Sequence, residues 1–163
     1  MTVATVEPRD GHLGHIPLPA NGIRDDLMLR IMRTPREPGT AVPDEEARWV
    51  EWCRRIGAAK LRRWSMPGLV EDARVLTSEL VTNALEHGDG RSDIVVRFVI
   101  VTDRFVIAVD DGSPGKALVR QADAEDEAGR GMLLVAALAT QWGVSPDGSI
   151  TWCSLAMGDE SGG

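Results

Sequence analysis

The sequence predicts an α/β domain, and three features carry that expectation. Residues 69–87 repeat apolar side chains at Ala73, Leu76, Leu80, Val81 and Ala84, the spacing of one buried helical face. Two β-rich runs, Ile94–Val101 and Phe105–Val109, are separated only by Thr-Asp-Arg, which makes a tight antiparallel hairpin. Beyond them an apolar helix, Met132–Ala139, leads into a closing hairpin of Trp142–Ser145 and Ser149–Leu155, joined by Pro146-Asp-Gly148.

Composition narrows the class. A chain of 163 residues with 43% hydrophobic residues suits one folded unit with loose ends. The formal charge of −7 and pI near 4.9 argue against nucleic acid as a partner, since neutralising a phosphate backbone calls for a basic surface. No run approaches the ~18 apolar residues of a membrane span, and the N-terminus, with Glu7, Arg9 and Asp10, lacks the apolar core of a secretory signal. A soluble, cytoplasmic protein without membrane contact is expected. Cys53 and Cys153, with no CxxC pair, fit two buried reduced thiols.

Taken in order, residues 1–25 show no apolar periodicity and read as a flexible leader. His12 and His15 lie in it, three apart but in ligand-poor surroundings. The domain is expected over 26–157, starting with a strand at Leu27–Met32 that the Pro35–Pro43 region stops. A helix from Pro43 or Asp44 to about Trp64 follows: Asp44, Glu45 and Glu46 suit its positive N-terminal end, and Trp49, Trp52, Cys53, Ile56 and Ala59 make an apolar stripe. Its basic C-terminal half, Arg54 to Arg63, reads as a wet face or a partner patch. Pro67-Gly68 separates it from the central helix. After the hairpin comes Asp110-Asp-Gly-Ser-Pro-Gly115. Residues 116–128, polar and acidic but carrying Lys116 and Arg120, read as a mobile lid. Gly129-Arg-Gly131 then stands as a turn before the next helix, and 158–163 is a frayed tail.

The central helix holds the chemistry. Glu79, Asn83 and His87, each four apart, line a stripe beside its buried face. A carboxylate there can take a proton or orient a water, and an amide oxygen suits Mg²⁺, which binds hard oxygens alongside substrate phosphates. A solvated helix edge would look the same, so the other pieces decide. Gly129-Arg-Gly131 before a helix offers unpaired N–H groups and positive dipole to an anion. Asp111, in phase with Val109 on the inward side of its strand, can accept a hydrogen bond from an exocyclic amine such as that of adenine; an ordinary turn is the alternative.

Three motifs, Glu79-Leu-Val-Thr-Asn83-Ala-Leu-Glu-His87, Asp111-Gly-Ser-Pro-Gly115 and Gly129-Arg-Gly131-Met132, resemble the N, G1 and G2 boxes of the ATPase superfamily that includes gyrase, MutL and the histidine kinases. Within it the chain most resembles the bacterial anti-sigma-factor serine kinases, over about residues 27–157. The resemblance implies a two-layer α/β sandwich, a mixed, mostly antiparallel sheet with helices on one face. It also implies ATP and Mg²⁺ as cofactors, with Glu79 as general base or water-orienting carboxylate, Asn83 as Mg²⁺ ligand and Asp111 as adenine acceptor. Gly115, Gly129, Arg130, Gly131 and Met132 would border the nucleotide, and His87 matches a frequent family histidine. One departure is plain: Ser113 stands where the wider superfamily has the first glycine of Asp-x-Gly-x-Gly.

In that family such proteins bind a sigma factor, phosphorylate a serine on a STAS-fold antagonist, and often pair as homodimers through the face that here runs from Leu27 to Ile56. Two functional classes follow for this chain. One is a serine/threonine-protein kinase acting on a protein; the other is a non-catalytic module that senses nucleotide and sequesters a partner.

Overall fold

A computed structural model describes residues 16, 18, 22–37, 39–113 and 127–158. In chain order its elements are β1 (Ile23–Ile31), α1 (Asp44–Arg63), a 3-10 turn (Pro67–Leu69), α2 (Val70–His87), β2 (Ile94–Val101), β3 (Arg104–Asp110), α3 (Glu127–Leu138), β4 (Gln141–Val144) and β5 (Ile150–Ala156). The strands form one sheet in the order β1-β2-β3-β5-β4. The sheet expected to be mostly antiparallel is antiparallel at every pairing among the described residues. His12, His15, Gly115, the lid residues 116–126 and the tail beyond 158 lie outside the described residues.

Helices cover one face of the sheet. Phe98, Ile100, Phe105, Ile107 and Val109 point from β2 and β3 toward Leu61, Leu76, Leu80, Val81 and Leu85 of α1 and α2, all of them buried. Phe98 and Phe105 stack with ring centroids 5.9 Å apart. Each such side chain withdrawn from water stabilises the fold by roughly 1.5–3 kcal/mol before entropy is counted. The alternate residues of the same strands, Val99, Val101, Val106 and Ala108, turn to the opposite face with Ile150 and Trp152. Ile16, 6% exposed, and Leu18 pack on this second cluster, so part of the leader joins the fold.

The helical stripe predicted for α1 is rotated. Its buried residues are Glu46, Cys53, Gly57, Ala58 and Leu61, while Trp49, Trp52 and Ile56 are half-buried and Ala59 is exposed. Gly57 is the cause. A Cβ there would lie 3.0 Å from Phe98 Cε1 and 3.2 Å from Cζ, so the bare backbone lets the helix settle on the ring and draws the seam toward residue 57. Trp49 and Trp52 meet edge to face at the margin, with centroids 5.3 Å apart.

β1 also starts earlier than its apolar run suggests, at Ile23. Arg24, Asp25 and Asp26 argue against a strand by composition, yet the two acids are neutralised across the fold. Asp26 pairs with Arg97 of β2, and Asp25 Oδ2 receives hydrogen bonds from Lys60 Nζ at 2.8 Å and Trp64 Nε1 at 2.7 Å. Among the described residues no helix is long and apolar enough to cross a membrane. Both cysteines are free and buried, and burial pushes each thiol up to about 12.

Candidate functional site

α2 supplies the floor of the site. Val70, Ala73, Leu76, Thr77, Leu80, Val81, Ala84 and Leu85 are its buried residues, which leaves Glu79, Asn83 and His87 half-buried along one edge on successive turns. At 1.5 Å per residue the three cover about 12 Å of helix. His87 closes α2, with Nε2 3.8 Å from Glu86 Oε2.

At the Glu79 end stands α3. A Cβ on Gly131 would lie 2.5 Å from Glu79 Oε2, so the backbone of α3 meets the carboxylate only because residue 131 has no side chain. Here the expected arrangement needs correcting. Gly129-Arg-Gly131 is not a turn before the helix: α3 begins at Glu127 and takes in both glycines, Arg130 and Met132. Glycine in a helix costs about 1 kcal/mol against alanine but does not break it, and packing on α2 offsets that. Gly129 sits in the first turn, where backbone N–H groups have no intrahelical acceptor, whereas Gly131, two residues on, is the fifth residue of the helix, where its own N–H belongs to the helix ladder. Arg130 is exposed, and Met132 packs partly buried against the main core.

At the other end of the floor is Asp111. It is 4% exposed while Asp110 is half-buried, and its own N–H donates to Ser149 O at 3.0 Å. Asp111 Oδ1 accepts from Ser113 N at 2.8 Å. Gly88, just past α2, lies beside it: a Cβ there would lie 3.6 Å from Asp111 Cβ, an ordinary contact, but 2.7 Å from Ala84 O, so the tight constraint at this glycine comes from the end of α2 itself. Gly112 has φ +67, and a Cβ there would come 2.6 Å from Ser92 Cβ, so the turn after β3 needs glycine on both counts.

Contacts that the sequence pattern does not show build this end. Ser113, buried at 3%, does what the superfamily's glycine cannot: its Oγ accepts from Asp89 N at 2.8 Å and so ties the end of α2 to the Asp111 turn. The Asp89 carboxylate accepts from the N–H groups of Arg91 and Ser92, both at 2.8 Å, and from Ser92 Oγ at 2.7 Å. An Asp followed by polar residues after Gly88 is a legible signal for such a turn. The contact across to Ser113 is not.

The geometry is thus one helix edge with an acid facing the α3 backbone at Gly131 at one end and a buried carboxylate at the other. The model of the family described as "Histidine kinase-like ATPase domain" matches residues 42–155, which is well over half of the chain and runs from just before α1 to β5. The chain belongs to that family. No curated protein matches it.

For a histidine kinase-like ATPase domain the ligand that membership supports is ATP. The residues present fit a nucleotide and its magnesium. Among the described residues no cluster of three or more His, Cys, Asp or Glu could hold an ion alone. A Mg²⁺ bound through one protein oxygen and the substrate phosphates asks only for a donor such as the half-buried Asn83 amide on the floor. Gly131 leaves backbone, not side chain, facing Glu79 at the α3 end, and Asp111 is held buried at the other.

Proposed function

We propose that this ATPase domain is an anti-sigma-factor-type serine/threonine-protein kinase, which moves the γ-phosphoryl group of ATP to a serine of a STAS-fold antagonist and restrains a sigma factor by binding it. The observation that carries the reading is the pairing of Glu79 with Gly131, which sets a carboxylate against the first turns of α3. In the transfer a bond forms between the serine oxygen and the γ-phosphorus and the bond from that phosphorus to the bridging oxygen breaks. ADP leaves, and the hydroxyl proton passes to Glu79. Asn83 would hold Mg²⁺ beside the phosphates, where the ion would supply neutralisation of their charge. Asn83 holds that end of the nucleotide and Asp111 accepts from the adenine amine at the other, so positioning supplies most of the acceleration.

Partner binding by the Leu27–Ile56 face belongs to the same proposal, as does pairing of two copies there. In its support, β1 ends the sheet and its outer backbone edge has no strand partner among the described residues. A cleft of about 530 Å³ opens beside it, lined by Arg24, Leu27, Ile56, Lys60, Arg63 and Trp64 among others.

The test is incubation with labelled ATP, Mg²⁺ and a STAS-fold antagonist. Label is expected on the antagonist's serine, falling at least about 100-fold in Glu79→Ala while ATP binding persists, the scale of a lost general base. Tight binding of ATP and of the partner with no label transferred by the wild-type protein would instead establish the non-catalytic sequestering module.

A further inference from the structure

Arg33 lies outside all three motifs, yet its side chain is fully buried. Its Nε and Nη2 donate to Glu46 Oε2 at 3.4 and 3.3 Å, and Nη2 also donates to Leu85 O at 3.1 Å. Its backbone N–H donates to Asp93 Oδ1 at 3.2 Å. One residue therefore joins the segment after β1, the first turn of α1, the last turn of α2 and the approach to β2. A buried guanidinium costs several kcal/mol unless it is paired, so these contacts fix where it sits. Leu85 O is one of the carbonyls a helix C-terminus leaves without an intrahelical donor, and positive charge there is favourable.

The third arm of the guanidinium reaches Gly88, at the Asp111 end of α2. Arg33 Nη1 makes no hydrogen bond among the described residues and lies 3.4 Å from the point where Gly88 would carry a Cβ. Asp111 Cβ lies 3.6 Å from that same point. Arg33 and Asp111 thus border one small space at the end of α2.

We propose that Arg33, held by Glu46, is a positioning residue for base recognition: it clamps the last turn of α2 beside Asp111 and so fixes the carboxylate where it meets an adenine amine. This rests on the reading of Asp111 as the adenine acceptor. Neither Arg33 nor Glu46 touches the nucleotide. Their effect is on which base the pocket accepts.

The experiment is calorimetric titration of the full chain, Arg33→Lys and Glu46→Gln with ATP and with GTP, each with Mg²⁺. Lysine keeps the charge but cannot span Glu46 and Leu85 O at once; glutamine keeps the shape and removes the counter-charge. Each variant is expected to lose about tenfold of the wild-type preference for ATP over GTP, the lower end of what removing an outer-shell partner costs a metal site. A purely structural role would weaken both nucleotides in proportion and leave the ratio unmoved, which would overturn the inference. If Arg33→Lys does not fold, the ratio in Glu46→Gln decides. Wild-type protein without adenine preference overturns the Asp111 reading and this one with it; preference kept in both variants overturns this one alone.

Discussion

Glu79 Oε2 lies 2.5 Å from the point where Gly131 would carry a Cβ. That is well inside contact distance, but the atom at risk is the tip of a flexible side chain. Gly131→Ala should therefore displace the Glu79 carboxylate and leave the helices where they are. Unfolding free energy is expected to change by less than about 1 kcal/mol, while phosphoryl transfer falls about 100-fold, the cost of a misplaced reacting group. Thermal unfolding and turnover measured on one preparation check this. A variant that unfolds early with unchanged turnover per folded molecule would show that the glycine serves packing alone.

Gly57→Ala should behave in the opposite way. Its Cβ would meet the Phe98 ring at 3.0 and 3.2 Å, and that ring is fully buried and stacked on Phe105, so it has nowhere to turn. Alanine gains about 1 kcal/mol of helix propensity, but overpacking costs about 1–3 kcal/mol. Net destabilisation on the order of 1 kcal/mol is expected by urea unfolding, with nucleotide affinity unchanged. A stabilised variant would mean that α1 does not need its close seat on β2.

The pairing at the start of β1 should give the fold a pH dependence. Burial alone would raise the carboxyl of Asp25, but the hydrogen bonds and charge of Lys60 and the hydrogen bond of Trp64 outweigh it and hold the group below the usual range. A carboxyl lowered on folding stabilises above its unfolded value, near 3.9, and that contribution fades as pH falls through the folded value. Asp25→Asn should cost about 1 kcal/mol or less at pH 7, the range of such part-exposed pairs, and progressively less as pH falls below the unfolded value. Chemical unfolding of both proteins across that range gives the difference directly. A gap that is flat or widens toward acid would rule the pairing out.

Much of the fold was legible because local pattern and global packing agree. The apolar residues named for α2, Ala73, Leu76, Leu80, Val81 and Ala84, are buried, and the hairpins at Thr102-Asp103 and Pro146-Asp-Gly148 join strands as their turn chemistry demands. Pattern failed where long-range contact overrode it. Arg24, Asp25 and Asp26 concealed the start of β1 because their partners, Lys60, Trp64 and Arg97, are far away in the chain. The α1 stripe was misplaced because a glycine carries no hydrophobicity to count, although its emptiness is what seats the helix on Phe98.

By itself, then, the sequence determined the element types, an acidic chain, and a set of chemical groups: an acid, an amide and an imidazole on one helical edge, with an aspartate at a strand end. Those follow from periodicity and side-chain chemistry, which are properties of near neighbours. Tertiary structure alone decided that α3 takes in its glycines and brings Gly131 to Glu79, that Ser113 ties Asp89 to the Asp111 turn, and that Arg33 stands buried beside Gly88. The physical reason is one of range: each of these is a contact between residues distant in the chain, set by how closely two backbones can approach and by which buried polar group must find a partner.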